Sequence, residues 1–231
     1  PLSEAGNGDL TVRVATSLKA VPAGAWNACA NPQALADAIS AAAAPPGGLA
    51  LDHDNPFVSH EFLMALEESR CIGGRTGWSP AYLLVEDGDG RLLAAAPSFL
   101  KSHSQGEYVF DHAWADAWQR AGGNYYPKLQ IAAPFTPATG PRLLLADPAL
   151  AAPLLKAAEQ VCGGNGLSSA HATFIAPEQV AWFEAAGWLL RRDIQFHWEN
   201  RGYECFDAFL DALSSRKRKD IRKERAAAQS G

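Results

Sequence analysis

From Thr11 to Ser17 the chain alternates apolar and polar residues (Thr-Val-Arg-Val-Ala-Thr-Ser), the period-two signature of a half-buried strand. Short helical patterns follow over Ala23–Ala30 and Pro32–Ala44, the second Ala-rich and stopped by Pro45-Pro46-Gly47-Gly48. Ser59 stands where an N-cap belongs, Glu61 lies in the first turn, and Phe62, Leu63 and Leu66 share a face. That helix is expected to end near Arg70. Two apolar runs, Ala81–Glu86 and Arg91–Lys101, flank Asp87-Gly88-Asp89-Gly90, which predicts a hairpin.

Beyond residue 141 the pattern changes to short strands alternating with helices. Arg142–Ala146 reads as a strand, and Asp147 and Pro148 as the N-cap and first position of a helix closed by Gly163-Gly164. Pro153 predicts a kink there or a later start. A strand over Ala170–Ile175, a helix over Pro177–Ala186 stopped by Gly187, and a strand over Trp188–Trp198 come next. Phe206–Leu213 opens a final helix. The order predicts an α/β fold, a central mixed sheet flanked by helices, with no internal repeat.

Composition changes this picture little. The 231 residues are 48% hydrophobic and 19% charged, with a mean hydropathy of −0.13. No apolar run approaches the roughly 18 residues of a membrane span, and no basic-then-apolar leader opens the chain. Cys29, Cys71, Cys162 and Cys205 are far apart and form no Cys-x-x-Cys pair, so free thiols in a reducing, cytoplasmic setting are expected.

Charge changes it more. Between Ser214 and Arg225, seven cations face Asp220 and Glu224, leaving +5 in a chain of formal charge −5, so the remainder carries −10. Arg216, Lys217, Arg218 and Lys219 are therefore candidate anion-binding residues. Continued as one helix, Phe206, Phe209, Leu210, Leu213, Ile221 and Ala228 fall on one arc, with Lys217 as the cation on the apolar seam. A polyanion-contacting helix and a solvated helix packed by one face both fit this pattern.

The stretch from Lys101 to Arg142 is the richest in polar and aromatic residues, and connections of this length are often functional. Tyr125, Tyr126, Lys128, Gln130, Thr136, Thr139 and Arg142 are its candidate substrate-binding residues: tyrosines offer apolar walls with polar tips, and Lys128 and Arg142 can pair with carboxylate or phosphate. A second reading stays open, in which the aromatics pack an extra hairpin over the sheet. His103, Asp111, His112 and Asp116 match no metal-ligand spacing, so no metal is expected. No Gly-x-Ser-x-Gly elbow is present, and no side chain identifies itself as a catalytic base.

The element order resembles the Gcn5-related N-acetyltransferase (GNAT) fold. Five blocks in order, Asn55-Pro-Phe-Val-Ser-His-Glu-Phe-Leu, Gly106-Glu-Tyr-Val-Phe-Asp, Tyr125-Tyr126-Pro-Lys-Leu-Gln, Pro134-Phe-Thr-Pro-Ala-Thr-Gly-Pro-Arg142 and Ser214-Ser-Arg-Lys-Arg-Lys, are similar to the FemAB-like family of peptidoglycan biosynthesis or recognition proteins and N-acyltransferases. The resemblance implies two GNAT-like halves. Residues 1–205 would form the first, with an aromatic-rich insertion at about 101–141, and the basic helix of 206–231 would lead into a second half that this chain lacks, leaving it inactive alone.

For the full-length protein, the resemblance implies transfer of an acyl or aminoacyl group to an amine, with acyl-CoA or aminoacyl-tRNA as donor and a peptidoglycan precursor as acceptor. The partners it implies are the second half and a peptidoglycan precursor or tRNA; a non-catalytic module binding peptidoglycan or its precursors is the alternative. The GNAT donor loop, a Gly-rich turn before a helix, has no match here: Leu145-Ala-Asp147-Pro148 lacks glycine, and Arg120-Ala-Gly122-Gly123 lies in another element. No cofactor is therefore expected on this chain.

Overall fold

The computed structural model describes residues 10–32 and 55–230. From residue 33 on, the expected Ala-rich helix and its Pro-Pro-Gly-Gly stop lie outside them. The chain divides into two compact units, Pro1–Leu190 and Arg191–Gly231.

The first unit is built on one long bent hairpin. One arm holds β2 (Trp78–Pro80) and β3 (Tyr82–Glu86), the other β4 (Leu92–Ala96) and β5 (Ser98–Lys101). Asp87 Oδ1 closes the turn by accepting from the amides of Asp89 and Arg91. Pro97 has no N–H to give the ladder, so both arms break there. The Ser98 hydroxyl mends the gap: it donates to the Ala81 carbonyl at 2.6 Å and accepts from the Leu83 amide at 3.1 Å.

The bend divides the strands between two four-stranded sheets. With β1 (Thr11–Ala15), β6 (Lys128–Ile131), β7 (Leu144–Leu145) and β8 (Ala170–Ala172), their orders are β1-β3-β4-β7 and β2-β5-β6-β8. The first sheet is antiparallel throughout. The second is mixed, because β6 and β8 run parallel. The α/β architecture with flanking helices is as expected, with its strands shared between two sheets.

Helices cover both faces of β3, which explains its unbroken apolar run. Tyr82 and Leu84 join a core containing Trp26 of α1 (Ala23–Ala30) and Leu63 of α2 (His60–Glu68). Leu83 and Val85 join the core built on Leu154, Leu155 and Ala158 of α4 (Ala151–Gly164). The Ser59 hydroxyl caps α2 by accepting from the Phe62 amide. The start of α4 is delayed as Pro153 suggested: Pro148–Leu150 forms a 3-10 turn first, capped by Asp147.

Other expectations are corrected. The strand expected over Arg142–Ala146 shrinks to Leu144–Leu145, because the Gln179 side-chain amide takes the place of a neighbouring strand. Its oxygen accepts from the Arg142 and Leu143 amides, and its nitrogen donates to the Leu143 carbonyl. Residues 101–141 form neither an extra hairpin nor a wholly added segment. They contain α3 (His112–Arg120) and the strand β6, which is paired on both sides. Trp188–Trp198 belongs to no strand, and Leu189, Ile194 and Phe196 in it are exposed. Alternation supplies two faces for a strand but not the backbone partner it needs. His197, expected in that strand, is exposed and lies 2.9 Å from Gln195 Oε1.

In the second unit the final helix is interrupted. α5 (Val180–Ala185) closes the first unit, and α6 (Phe206–Asp211) and α7 (Ser215–Gln229) form the second around a nucleus of Trp198, Tyr203, Phe206 and Phe209. The break at residues 212–214 resets the helical phase. Arg218, not Lys217, is thereby drawn inward, its guanidinium 2.7 Å from Asp211, while Lys217 is exposed.

Candidate functional site

Strand register gives the mixed sheet two unlike faces. Leu100, Leu129 and Ala170 lie side by side on the face toward α4. On the other face, Trp78, Lys101 and Lys128 form one row, and Phe99, Gln130 and His171 the next. Lys101, Lys128 and Gln130 are nevertheless fully buried. They are covered by the excursion between β5 and β6, which brings down two carboxylates of its own.

Lys128 Nζ stands 2.8 Å from both Glu107 Oε2 and Asp111 Oδ2, and donates to Ser104 Oγ at 3.0 Å. Asp111 Oδ2 also accepts from the hydroxyls of Ser104 and Tyr125, each at 2.8 Å, and the Tyr126 hydroxyl meets Ser104 at 2.7 Å. Tyr125 and Tyr126 pack edge to face with centroids 5.0 Å apart, and Tyr125 also meets the His171 ring. Lys101 Nζ lies 3.5 Å over the Trp78 ring, donates to the Gln105 carbonyl and is 3.9 Å from Glu107 Oε1.

Burial sets the protonation of this cluster. It pushes the Lys101 ammonium down to about 7 against the pull of Glu107. It raises Glu107, against Lys128. Burial also works against the Asp111 carboxylate, but hydrogen bonds from Lys128 and Ser104 outweigh it and hold the group below its usual range. The Tyr125 hydroxyl is raised by burial and by its bond to Asp111. Glu107 Oε1, Asp111 Oδ1 and Gln130 Oε1 are buried acceptors that receive no hydrogen bond among the described residues. Such groups are few in native proteins and occur where ligands or waters complete a site.

A second cluster lies past the ends of the parallel pair. Gln130 reaches toward it, donating to Thr173 Oγ1. Arg142 is fully buried and donates to three carbonyls: Thr173 from Nε at 2.7 Å, Pro141 from Nη1 at 3.1 Å and Ala138 from Nη2 at 2.6 Å. Burial lowers its guanidinium to about 10. Arg142 thus ties the 134–141 loop to the loop after β8. Gly140 packs closely between them: a Cβ there would lie 2.0 Å from Asn55 Nδ2, which would have to move. Phe135 and Phe174, in these loops, hold φ of 58° and 53°, unusual for bulky residues.

Of the residues nominated from sequence, Tyr125, Tyr126 and Lys128 meet in one network, with Gln130 on the same sheet face. Arg142 belongs to the loop clamp. Thr136 is half-buried and donates to the Pro134 carbonyl, and Thr139 is exposed. Sequence reasoning passed over Lys101, Ser104 and Glu107 and gave Asp111 no partner. Glu107 and Asp111 lie in the Gly106–Asp111 block, which was the available signal. Arg216, Lys217 and Lys219 are exposed on α7. The start of α4 offers no anion cradle, because the Asp147 carboxylate already takes the Ala149 amide at 2.9 Å.

Residues 17–231 match the FemAB-like family, described as peptidoglycan biosynthesis/recognition. The chain belongs to this family. Four of the five FemAB-like blocks noticed in the sequence, those of the first unit, are linked by direct contacts. Lys128 joins the second and third, Gly140 against Asn55 the first and fourth, and the Phe135 amide donates to the Gly106 carbonyl. No curated protein matches the chain. Among solved structures it is similar to aminoglycoside N-acetyltransferase AAC(6')-Iy, in complex with CoA (12% identity, 86% of this chain and 99% of that one, TM-score 0.42). It is also similar to aminoglycoside 6'-N-acetyltransferase AAC(6')-Ih from Acinetobacter baumannii (13% identity, 84% and 100%, TM-score 0.38). A likeness this loose transfers no residue's role.

Proposed function

We propose that the protein works in N-acyl transfer of the FemAB-like type, moving an acyl or aminoacyl group onto an amine of a peptidoglycan precursor. The observation that carries this reading is the meeting of two of the family's blocks, Gly106–Asp111 and Tyr125–Gln130, on one buried polar sheet face. Burying two lysines against two carboxylates is generally no more stable than an apolar core of the same volume, so stability alone does not account for the cluster. Attack by an amine needs positioning, a group to take its proton, and donors for the developing oxyanion. Tyr125, Tyr126 and Lys128 are the acceptor-positioning set in this reading, with Gln130, Thr136, Thr139 and Arg142 shaping the adjoining loop. Asp111 Oδ1, which receives no hydrogen bond among the described residues, is the acceptor for an ammonium in this reading. Arg216, Lys217, Arg218 and Lys219 are assigned to the phosphates of the donor, acyl-CoA or aminoacyl-tRNA.

The test is to incubate full-length protein with an amine-bearing muropeptide and each donor, and to read the product by mass. Transfer that Asp111→Asn weakens supports the proposal; no transfer with either donor overturns it. The Asp147-capped start of α4 favours a second reading, recognition of the precursor without chemistry. Calorimetric binding of muropeptide by a protein that transfers nothing would select it.

A further inference from the structure

The direction of each hydrogen bond around Asp111 follows from which atoms carry protons. An ammonium can only donate, and an ionised carboxylate can only accept. Lys128 Nζ gives its protons to Glu107 Oε2, Asp111 Oδ2 and Ser104 Oγ. Ser104 has a single proton, and it goes to Asp111 Oδ2 at 2.8 Å. Its 2.7 Å contact with the Tyr126 hydroxyl then runs in one direction, with Tyr126 donating. The Tyr125 proton is committed to Asp111 Oδ2 as well.

The polar protons of Lys128, Ser104, Tyr125 and Tyr126 are therefore all spent within the protein. What the cluster has left is lone pairs. Both phenol oxygens keep theirs, and Asp111 Oδ1 and Gln130 Oε1 receive no hydrogen bond among the described residues. Asp111 and Gln130 are buried, whereas Tyr125 and Tyr126 are half-buried and border solvent. Lys128 has no proton to offer a ligand's carboxylate or phosphate. Lys101 is no substitute, since its Nζ donates to the Gln105 carbonyl and lies against the Trp78 ring.

We infer that Tyr125, Tyr126 and Asp111 form a recognition site selective for a primary ammonium group, with Ser104 as the positioning residue that fixes its polarity. The inference rests on the assignment of this cluster to the amine substrate above, and adds that acceptors alone meet the amine, in its charged form. An ammonium brings several donors and a charge, and charge-assisted hydrogen bonds are about twice as strong as neutral ones. A hydroxyl brings one donor. A carboxylate brings none, and its oxygens would face lone pairs.

The test titrates full-length protein, 13C-labelled in its tyrosine rings, with pentylammonium, pentanol and pentanoate, and follows the Tyr125 and Tyr126 signals. Pentylammonium should bind about tenfold or more tightly than pentanol, and pentanoate should give no saturable shift. Ser104→Ala frees the Tyr126 proton, so the preference for pentylammonium over pentanol should fall to about threefold or less. Tyr126→Phe removes an acceptor and should reduce it similarly, whereas Ser104→Thr keeps the hydroxyl and should preserve it. Should Ser104→Ala fail to fold by circular dichroism, Tyr126→Phe and Ser104→Thr decide. The inference is overturned if pentylammonium does not bind, if the parent binds the three probes equally, or if Tyr126→Phe retains the full preference. Equal weakening of every probe by Ser104→Ala would make that residue's role structural and overturn the inference too. Acyl transfer to an amine without ammonium preference rejects this site alone. Ammonium preference without transfer to any amine upholds the site and rejects the function proposed above.

Discussion

Lysine and arginine serve in two opposite settings. Lys101, Lys128 and Arg142 are fully buried in the first unit, each held by named oxygens. The cations of α7 stand mostly in water, where Arg218 and Arg222 make ion pairs with Asp211 and Asp207. Desolvation separates the two cases. A buried cation must be matched by its neighbours or it costs several kcal/mol, whereas a solvated one is worth about 1 kcal/mol or less to the fold and stays available for a partner. The buried set therefore determines local geometry, and the exposed set determines the field around the helix.

The largest effect expected from this contrast is at Lys128. Lys128→Met leaves Glu107 and Asp111 facing each other without a cation and should cost about 3–5 kcal/mol in urea unfolding. Adding Glu107→Gln and Asp111→Asn should recover much of that loss, and no recovery would show that the cation matters for more than charge. At the neighbouring lysine the contrast is read by pH. With Lys101 lowered to about 7 in the fold from an ordinary 10.5, the unfolded chain binds the extra proton between those values, so unfolding free energy should rise with pH above about 7. Lys101→Met, measured over the same range beside Glu107, Asp111 and Lys128, should flatten that rise.

Smaller effects sharpen the contrast. Gly140→Ala drives a methyl into Asn55 and should destabilise by about 1–3 kcal/mol in thermal unfolding. Tyr125→Phe removes one hydrogen bond to Asp111 and should cost about 1 kcal/mol. Replacing Arg216, Lys217, Arg218 and Lys219 together with Gln should change stability by only about 0.5 kcal/mol. The same replacement should reduce the slope of log affinity against log salt, for binding to a polyanion, by up to about three. A large stability loss there, with salt dependence unchanged, would erase the distinction between the two sets.

Local chemistry was legible wherever a residue acts on its own neighbours. The Ser59 cap, the Asp87–Gly90 turn, the Asp147 cap and the delayed start of the helix that contains Pro153 could all be read, because each depends on contacts within a few residues. Tyr125, Tyr126 and Lys128 were legible as candidates from their types and clustering. Their partners were not, since Lys128 lies 17 residues from Asp111 and 21 from Glu107. Trp188–Trp198 had the pattern of a strand without a strand's pairing, because periodicity describes faces and says nothing of neighbours.

By itself, then, the sequence determined the α/β class, the hairpin, the caps and the cationic character of the last helix, all properties of short-range pattern. Only the tertiary structure decided that Lys101, Lys128 and Gln130 share a buried face, that Gln179 replaces a strand beside Arg142, and that the last helix breaks before its basic run. The reason is physical. Pattern sets which residues prefer to be together locally, but strand register and the excursion laid over it set which distant charges lose their water and must find each other.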